Sequence, residues 1–544
     1  MLKYKFTSEH KAYINLNENY FKIQLRCEMK EKKSLLDYLV YIGLLVVVLI
    51  VLLFNGINYA CKRNFLFSNV EMLLICCILV FFSFLLSSKL KKKSEIINEN
   101  KVKRFLFWIC ICAFQILFCY LLYFYTGWDA GWKVIPTARN IGLNLGNPID
   151  QAYFSRCPNN IVIVLLYASI FKIGSQISPI FYGETESVFL LICFQCLLST
   201  VSGYLLAQII KELTHSKRIM NFSIFCYLIL VGFSPWLIIP YSDATGLIFP
   251  IVILRLYQLL FNKKYLTLKL MGITFFTYWG YKIKPQTAII FIAIVMVEII
   301  KFTKKIKNKE KINLINSSKK IIALIGVIIC SVGFNKFLVK VSPFELNKEA
   351  EFGMNHYFMM GLNNENNGIW CRSDAEFSES FSTREERNSQ NLRIAKERIE
   401  AYGVRGLAEH IEKKTLTLFN DGSFAFGMEG DFYVSKAHSN SKAIKVLQSI
   451  FLSDGEFYIY SSTIRQFVWI SVLCIMLFSA ISRQMDSITR ATLFSLAGIT
   501  LFELLFEARA RYLFIYVPFF IILAAKGLET LSFMFNNYRK NKYN

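Results

Sequence analysis

Asp129 sits between two tryptophans, in Gly127-Trp128-Asp129-Ala130-Gly131-Trp132, directly after the apolar run Phe105–Tyr125. A carboxylate at the end of such a run meets a membrane surface, where it can accept a proton from a hydroxyl as a general base. Asp243, in Pro240-Tyr241-Ser242-Asp243, is a second acid placed between apolar runs. The alternation of runs and loops assigns Tyr153, Arg156, Lys282, Lys284, His356, Glu507, Arg509 and Arg511 to the same face. Ionisable groups at membrane depth are costly unless they line a wet cavity or pair with one another. A converging set of acids and cations therefore predicts a site for an anionic, membrane-embedded ligand. Arg would grip its phosphate in bidentate fashion and Lys as a point charge.

Each residue also has a simpler reading. Trp128 and Trp132 suit an aromatic belt at the membrane interface. Lys282 or Lys284 could snorkel from the helix that Pro285 opens. Arg509 and Arg511 could clamp Glu507. His356 could be a structural hydrogen-bonder, and Asp243 could cap a helix beginning at Ala244.

The elements that must position these residues follow from composition. The chain has 544 residues, 54% of them hydrophobic, and a mean hydropathy of +0.41. That is an all-α polytopic membrane protein. The formal charge of +24 first suggests nucleic acid. The basic residues, however, cluster in short loops between apolar runs, as the positive-inside rule requires, so nucleic acid is excluded as a partner and membrane lipid is the expected surrounding. Most of the fourteen cysteines lie in apolar runs (Cys76, Cys77, Cys110, Cys112, Cys119, Cys193, Cys196), where they act as small hydrophobes. Cys193 and Cys196 have the spacing of a metal-binding pair but sit mid-span. Cys157 and Cys371 fall on the same side and could pair. The first thirty-four residues are polar and mixed, and the run that follows is too long for the core of a signal peptide.

Spans are predicted at 35–56, 67–88, 104–126, 186–210, 219–237, 244–262, 265–281, 285–303, 319–340, 465–483, 488–506 and 511–531, each near the ~20 residues needed to cross. The basic loops are Lys89–Lys93 with Lys101–Arg104, Lys211–Arg218, Lys263-Lys264, Lys301–Lys320, Arg483–Arg490 and the tail Arg539-Lys540. Placing them all in the cytoplasm gives about twelve crossings with both termini cytoplasmic. Asn160–Gly174 is apolar but short, and treating it as a crossing would invert Lys211–Arg218. It is therefore read as an interfacial or half-inserted helix. The resulting organisation is a cytoplasmic segment 1–34, two helices and a basic loop over 35–103, and a core over 104–340 whose first extracytoplasmic loop is 127–185. An extracytoplasmic loop follows over 341–464, then C-terminal helices and a basic tail over 465–544.

The order of these pieces resembles the GT-C superfamily of integral membrane glycosyltransferases, in particular the protein O-mannosyltransferase and lipid A aminoarabinose transferase group. That group has an acid soon after a span, here Trp128-Asp129. A basic-Pro-Pro-like stretch follows, here Tyr153-Phe154-Ser155-Arg156-Cys157-Pro158-Asn159-Asn160, and then a juxtamembrane helix ending Phe171-Lys172-Ile173-Gly174. A second acid in the next loop is matched by Ser234-Pro235-Trp236 and Tyr241-Ser242-Asp243, and a terminal Glu-x-Arg-x-Arg-Tyr by Glu507–Tyr512. Met359-Met360-Gly361-Leu362 and Asn420-Asp421-Gly422 in the long loop are similar to membrane proteins of Gram-positive bacteria that group with these enzymes. The resemblance covers about 104–340 and 465–531. Ala130 stands where many mannosyltransferases carry a second acid, Arg156-Cys157-Pro158 stands for Lys-Pro-Pro, and the first two spans are extra.

The resemblance implies a GT-C-like bundle with a juxtamembrane helix and a large extracytoplasmic loop. It also implies inverting transfer of a sugar from a polyprenyl-phosphate donor to a cell-envelope acceptor: a wall polysaccharide, a teichoic acid or a protein. Asp129 would take the proton of the acceptor hydroxyl. Asp243 would position the acceptor or, with Asp129, hold a divalent metal ion. Arg156, Lys282, Lys284, Arg509 and Arg511 would bind the donor phosphate, with Tyr153, His356 and Glu507 as further candidates. A lipid-linked oligosaccharide transporter and a non-catalytic envelope-assembly protein are the alternatives.

Overall fold

The computed structural model describes residues 30–54, 65–78, 101–122, 124–262, 264–308, 314–427, 429, 434–436 and 441–543. The segment before residue 30, the second half of the span at 67–88, the basic stretch 89–100 and residues 309–313 lie outside them.

The protein is helical, and ten helices among the described residues are long and apolar enough to cross a membrane. The main helices, spans and others together, are α1 (Leu35–Leu53), α2 (Lys101–Leu121), α3 (Ile135–Leu143), α4 (Ile161–Ile177), α5 (Glu184–Thr214), α6 (Lys217–Tyr227) and α7 (Ile248–Leu260). They continue with α8 (Leu266–Ile283), α9 (Ile289–Lys307), α10 (Leu314–Val341), α11 (Arg384–Phe419), α12 (Tyr458–Leu477), α13 (Ser487–Leu505) and α14 (Val517–Tyr543). The ends are set by ordinary caps. Ser34 and Asp37 form a capping box at α1, and Asp486 caps α13. The apolar core runs through the bundle, with Trp236, Trp469, Tyr167 and Tyr516 among its large buried side chains.

Four stretches differ from the sequence expectation, one of them the expected span 265–281, which forms α8 but is not among the ten helices apolar enough to cross. The stretch predicted as 219–237 is not one straight helix. α6 passes into a π-helical turn, Leu228–Gly232, and then a 3-10 turn, Pro235–Ile238. Gly232 weakens the helix and Pro235 cannot donate, so the chain turns here and leads directly into the Asp243 loop. The second expected span is described only as the shorter apolar helix Asn69–Ile78. The stretch read as interfacial gains a 3-10 turn at Pro158–Asn160 and reaches 20 residues, which is long enough to cross. Its main packing partner is α3, where a Cβ on Gly142 would lie 2.4 Å from the Ala168 carbonyl oxygen.

Arg490 also departs from its expected role as a loop cation. It is fully buried, with Nε 3.0 Å from Asp37 and Nη1 3.0 Å from Glu31, and Lys304 lies 2.6 Å from the same glutamate. The short strand β1 (Lys30–Lys32) pairs antiparallel with β4 (Gln484–Asp486) beside this cluster. At the far end of α13 a second seam pairs β2 (Phe124–Thr126) with β3 (Val434–Lys436). That seam ties the end of the span expected at 104–126, just before the first predicted loop, to the long loop.

Candidate functional site

Four segments converge on one buried cluster, and each is shaped by its own sequence. The first begins at Trp128, which holds φ at 54°, an unusual value for a bulky residue. Packing against Trp132 and Trp370 at ring distances of 5.9 and 5.8 Å keeps it there. A π-helical turn, Asp129–Val134, follows and runs into α3. Gly131 is required in that turn, because a Cβ would lie 1.7 Å from the Thr126 carbonyl oxygen. Trp132 is 65% exposed, as an interfacial anchor would be, whereas Trp128 is held inside an aromatic trio.

The second segment carries Asp243 in the first turn of the short helix Ser242–Gly246, whose N-cap is Tyr241. The third carries Lys284, the extended residue that ends α8. Pro285 disfavours helical backbone in the residue before it, and so turns Lys284 out of the helix direction. The fourth is Glu507–Tyr512. The chain is extended at Arg509 (φ −141°), so Glu507 and Arg509 fall on the same side.

The ion pairs are specific. Lys284 Nζ donates to Asp243 Oδ1, and Arg511 Nη1 donates to Asp243 Oδ2 at 2.5 Å. Arg511 Nε reaches Glu429 Oε2 at 3.0 Å, and Arg509 Nη1 reaches the same oxygen at 3.2 Å. Arg509 Nε donates to Glu507 at 2.8 Å. The Tyr512 ring lies beneath both Lys284 Nζ (4.3 Å) and the Arg511 guanidinium (4.9 Å). Both oxygens of Asp243 are thus held by cations, and it does not cap its helix. Among the described residues no group of three or more His, Cys, Asp or Glu is placed to hold a metal.

Asp129 differs. It makes no ion pair with a described residue, although Arg511, Arg509 and the Tyr153 hydroxyl are near enough to pull its pKa down. Burial outweighs them and holds the carboxyl above the usual aspartate range. Asn160 links the two acidic loops, since its Nδ2 donates to the Tyr153 hydroxyl at 2.7 Å and also reaches the Tyr241 hydroxyl at 3.4 Å. Burial pushes the Tyr153 phenol far up, so it remains a neutral donor.

The predicted set divides. Asp129, Tyr153, Asp243, Lys284, Glu507, Arg509 and Arg511 come together. Arg156 lies apart and half-exposed, 3.3 Å from Glu379. Lys282 lies over the Tyr278 ring at 6.0 Å, outside the cluster. His356 is buried in the long loop, with Nδ1 2.7 Å from Ser378 Oγ, and burial depresses its pKa to about 4. It is a neutral structural histidine. Cys157 and Cys371 are free thiols; burial raises Cys157 to about 12, and Cys371 Sγ lies 2.9 Å from Ser373 Oγ.

Three members were not anticipated. Glu429 bridges the two arginines from the long loop, and nothing in its local sequence marks it. Lys414 is fully buried near the end of α11, where it donates to the carbonyls of Gly361 (2.9 Å) and Phe506 (2.6 Å). Burial lowers its pKa to about 7. Glu503 is fully buried in α13, with Gln286 Nε2 3.4 Å from Oε1 and with Oε2 lacking a hydrogen-bond partner among the described residues. A carboxylate inside the apolar run Phe502-Glu503-Leu504 was the signal that could have found it.

No curated protein and no solved structure matches the chain. A family profile does, across residues 24–531, and the chain accordingly belongs to the family described as conserved hypothetical integral membrane proteins.

Proposed function

We propose that this membrane protein is a GT-C-type glycosyltransferase. It would move a sugar from a polyprenyl-phosphate donor to a cell-envelope acceptor, with its site on the extracytoplasmic face and both termini cytoplasmic. The observation that carries the reading is the contrast between its two central acids. Asp243 is bound by Lys284 and Arg511, whereas Asp129 faces the same arginine with no cation of its own among the described residues. A carboxylate kept unpaired and raised by burial is suited to receive a proton.

In this reading Asp129 accepts the proton of the acceptor hydroxyl. The freed oxygen attacks the anomeric carbon from the face opposite the phosphate, the bond from that carbon to the phosphate oxygen breaks, and the polyprenyl phosphate leaves with the electron pair. Arg511 and Arg509 stabilise the charge gathering on the departing phosphate. Glu429 already places one carboxylate oxygen between these two arginines, where a phosphate oxygen would sit. Donor binding therefore displaces Glu429. Asp243 is a positioning residue that aims Arg511 and Lys284. The extracytoplasmic placement rests on keeping the basic loops in the cytoplasm, which requires that α4, although long enough to cross, lie along the membrane surface.

The test is transfer of labelled sugar from a polyprenyl-phosphate donor in isolated membranes. Asp129→Asn is expected to abolish transfer while leaving donor binding intact, and full activity in that variant would sink the assignment. Reconstituted protein that moves the lipid-linked sugar across vesicles without transferring it would establish the transporter reading instead.

A further inference from the structure

At the other end of the bundle lies a pocket of about 450 Å³, between the first turns of α2 and α6 and the last turns of α5. Measured along α2 it is about 30 Å from Asp129. Its walls are apolar and include Phe107, Trp108 and Ile224, and its rim carries Lys103 and Lys217. Both lysines are exposed, and among the described residues neither pairs with an acid. Ser216 caps α6 at this point, so the positive end of that helix dipole also faces the rim. In the wall, Gln208 Nε2 is buried without a hydrogen-bond partner among the described residues. The Trp108 wall is rigid: it stands edge-on to Tyr204 at 6.2 Å, and a Cβ on Gly203 would lie 2.9 Å from its ring.

We infer that this pocket binds one anionic phospholipid from the surrounding bilayer. The rim cations and the α6 N-terminus take the phosphate, Gln208 donates to a glycerol or ester oxygen, and an acyl chain lies along Phe107, Trp108 and Ile224. A cationic rim over an apolar wall matches a lipid's two halves, whereas a soluble anion would use the rim alone. The leaflet in contact with basic loops is also the one whose anionic lipids are drawn to such clusters. The site stands apart from the proposed glycosyl transfer and does not depend on it.

Native mass spectrometry of the full chain, released from detergent with phosphatidylglycerol or phosphatidylcholine, tests the inference. Phosphatidylglycerol should be retained at least roughly tenfold better, and tail-free glycerol phosphate should not compete. Lys103→Glu with Lys217→Glu should erase the preference, each cation contributing roughly fivefold. Gln208→Leu, which leaves the charge unchanged, should weaken retention, and Lys264→Glu, a charge reversal on another exposed loop, should not. Variants are compared only where their lipid-free melting temperature equals that of the parent. Equal retention of the two lipids, or loss of the preference in Lys264→Glu as well, overturns the inference.

Discussion

The bundle buries an ion cluster at each end of α13, and the two are built on different rules. Around Arg490, the cation meets Asp37 and Glu31, Lys304 shares Glu31, and Asp37 also closes the capping box of α1. Around Arg511, about 20 Å further along α13, Asp243 and Glu429 are matched to cations, but among the described residues Asp129 has no ion pair and Glu503 keeps an oxygen with no hydrogen-bond partner. Buried charges that are fully paired hold elements in register. Buried charges left incomplete cost stability, and they are retained where a ligand or a proton completes them. One end of the molecule is thus closed on itself and the other is poised to receive something.

The largest expected effect tests the closed end. Asp37→Ala strands Arg490 in the bundle and should cost about 3–5 kcal/mol, read as a collapse in the yield of folded protein and in its melting temperature. Any protein that does fold should keep its donor affinity. A variant with unchanged stability would erase the distinction between the two ends.

Asp129→Asn should do the reverse. Transfer should fall by roughly 10²–10⁴, the usual worth of a general base. Burial raises the folded-state pKa of Asp129, so its charged form opposes folding at every pH above the ordinary aspartate value. Removing that charge should therefore raise the melting temperature at pH 7 and leave it unchanged at pH 3. The acid limb of the rate profile should be tenfold per pH unit, and it should lie above the ordinary carboxylate range.

Lys414→Met should weaken the long loop's hold on the Phe506 turn by about 1–3 kcal/mol, since two carbonyls lose their buried donor. Limited proteolysis at the exposed elbow near Gly403 and Val404 should detect it. In the parent protein burial holds the Lys414 pKa at about 7, below the ordinary lysine value of 10.5. Protection should accordingly strengthen as pH rises from about 7 toward 10. The smallest effect is expected from Glu429→Gln, which should lower the donor KM a few-fold by removing the carboxylate that competes for Arg509 and Arg511.

The sequence was informative where chemistry and hydropathy disagreed. Asp129, Asp243, Lys284 and Arg511 each interrupt or border an apolar run, and they converge. Arg156 and Lys282 carried the same signal but find their own surroundings, a glutamate in one case and a tyrosine ring in the other. Loop position alone does not fix where a side chain points. Glu429 and Lys414 were hidden because they belong to a polar loop, where charge is ordinary; only tertiary packing makes them unusual. The helical class followed from composition. The break at Leu228–Ile238 arose instead from Gly232 and Pro235, which act on the backbone and leave hydropathy untouched.

The seam between β2 and β3 bears on how this protein can be taken apart. Thr126 pairs with Val434, three residues before Asp129 and five after Glu429. The long loop is therefore not a detachable module grafted onto a self-sufficient bundle. Cutting out 341–464, or exchanging it for a shorter connection, would remove one edge of the Asp129 turn and the counter-ion of two arginines in a single step. Chimeras that respect the seam should be made by swapping both loops together. Tags and insertions belong at the exposed elbow of α11, where Gly403 carries φ of 55° and a Cβ there would meet nothing within 4 Å.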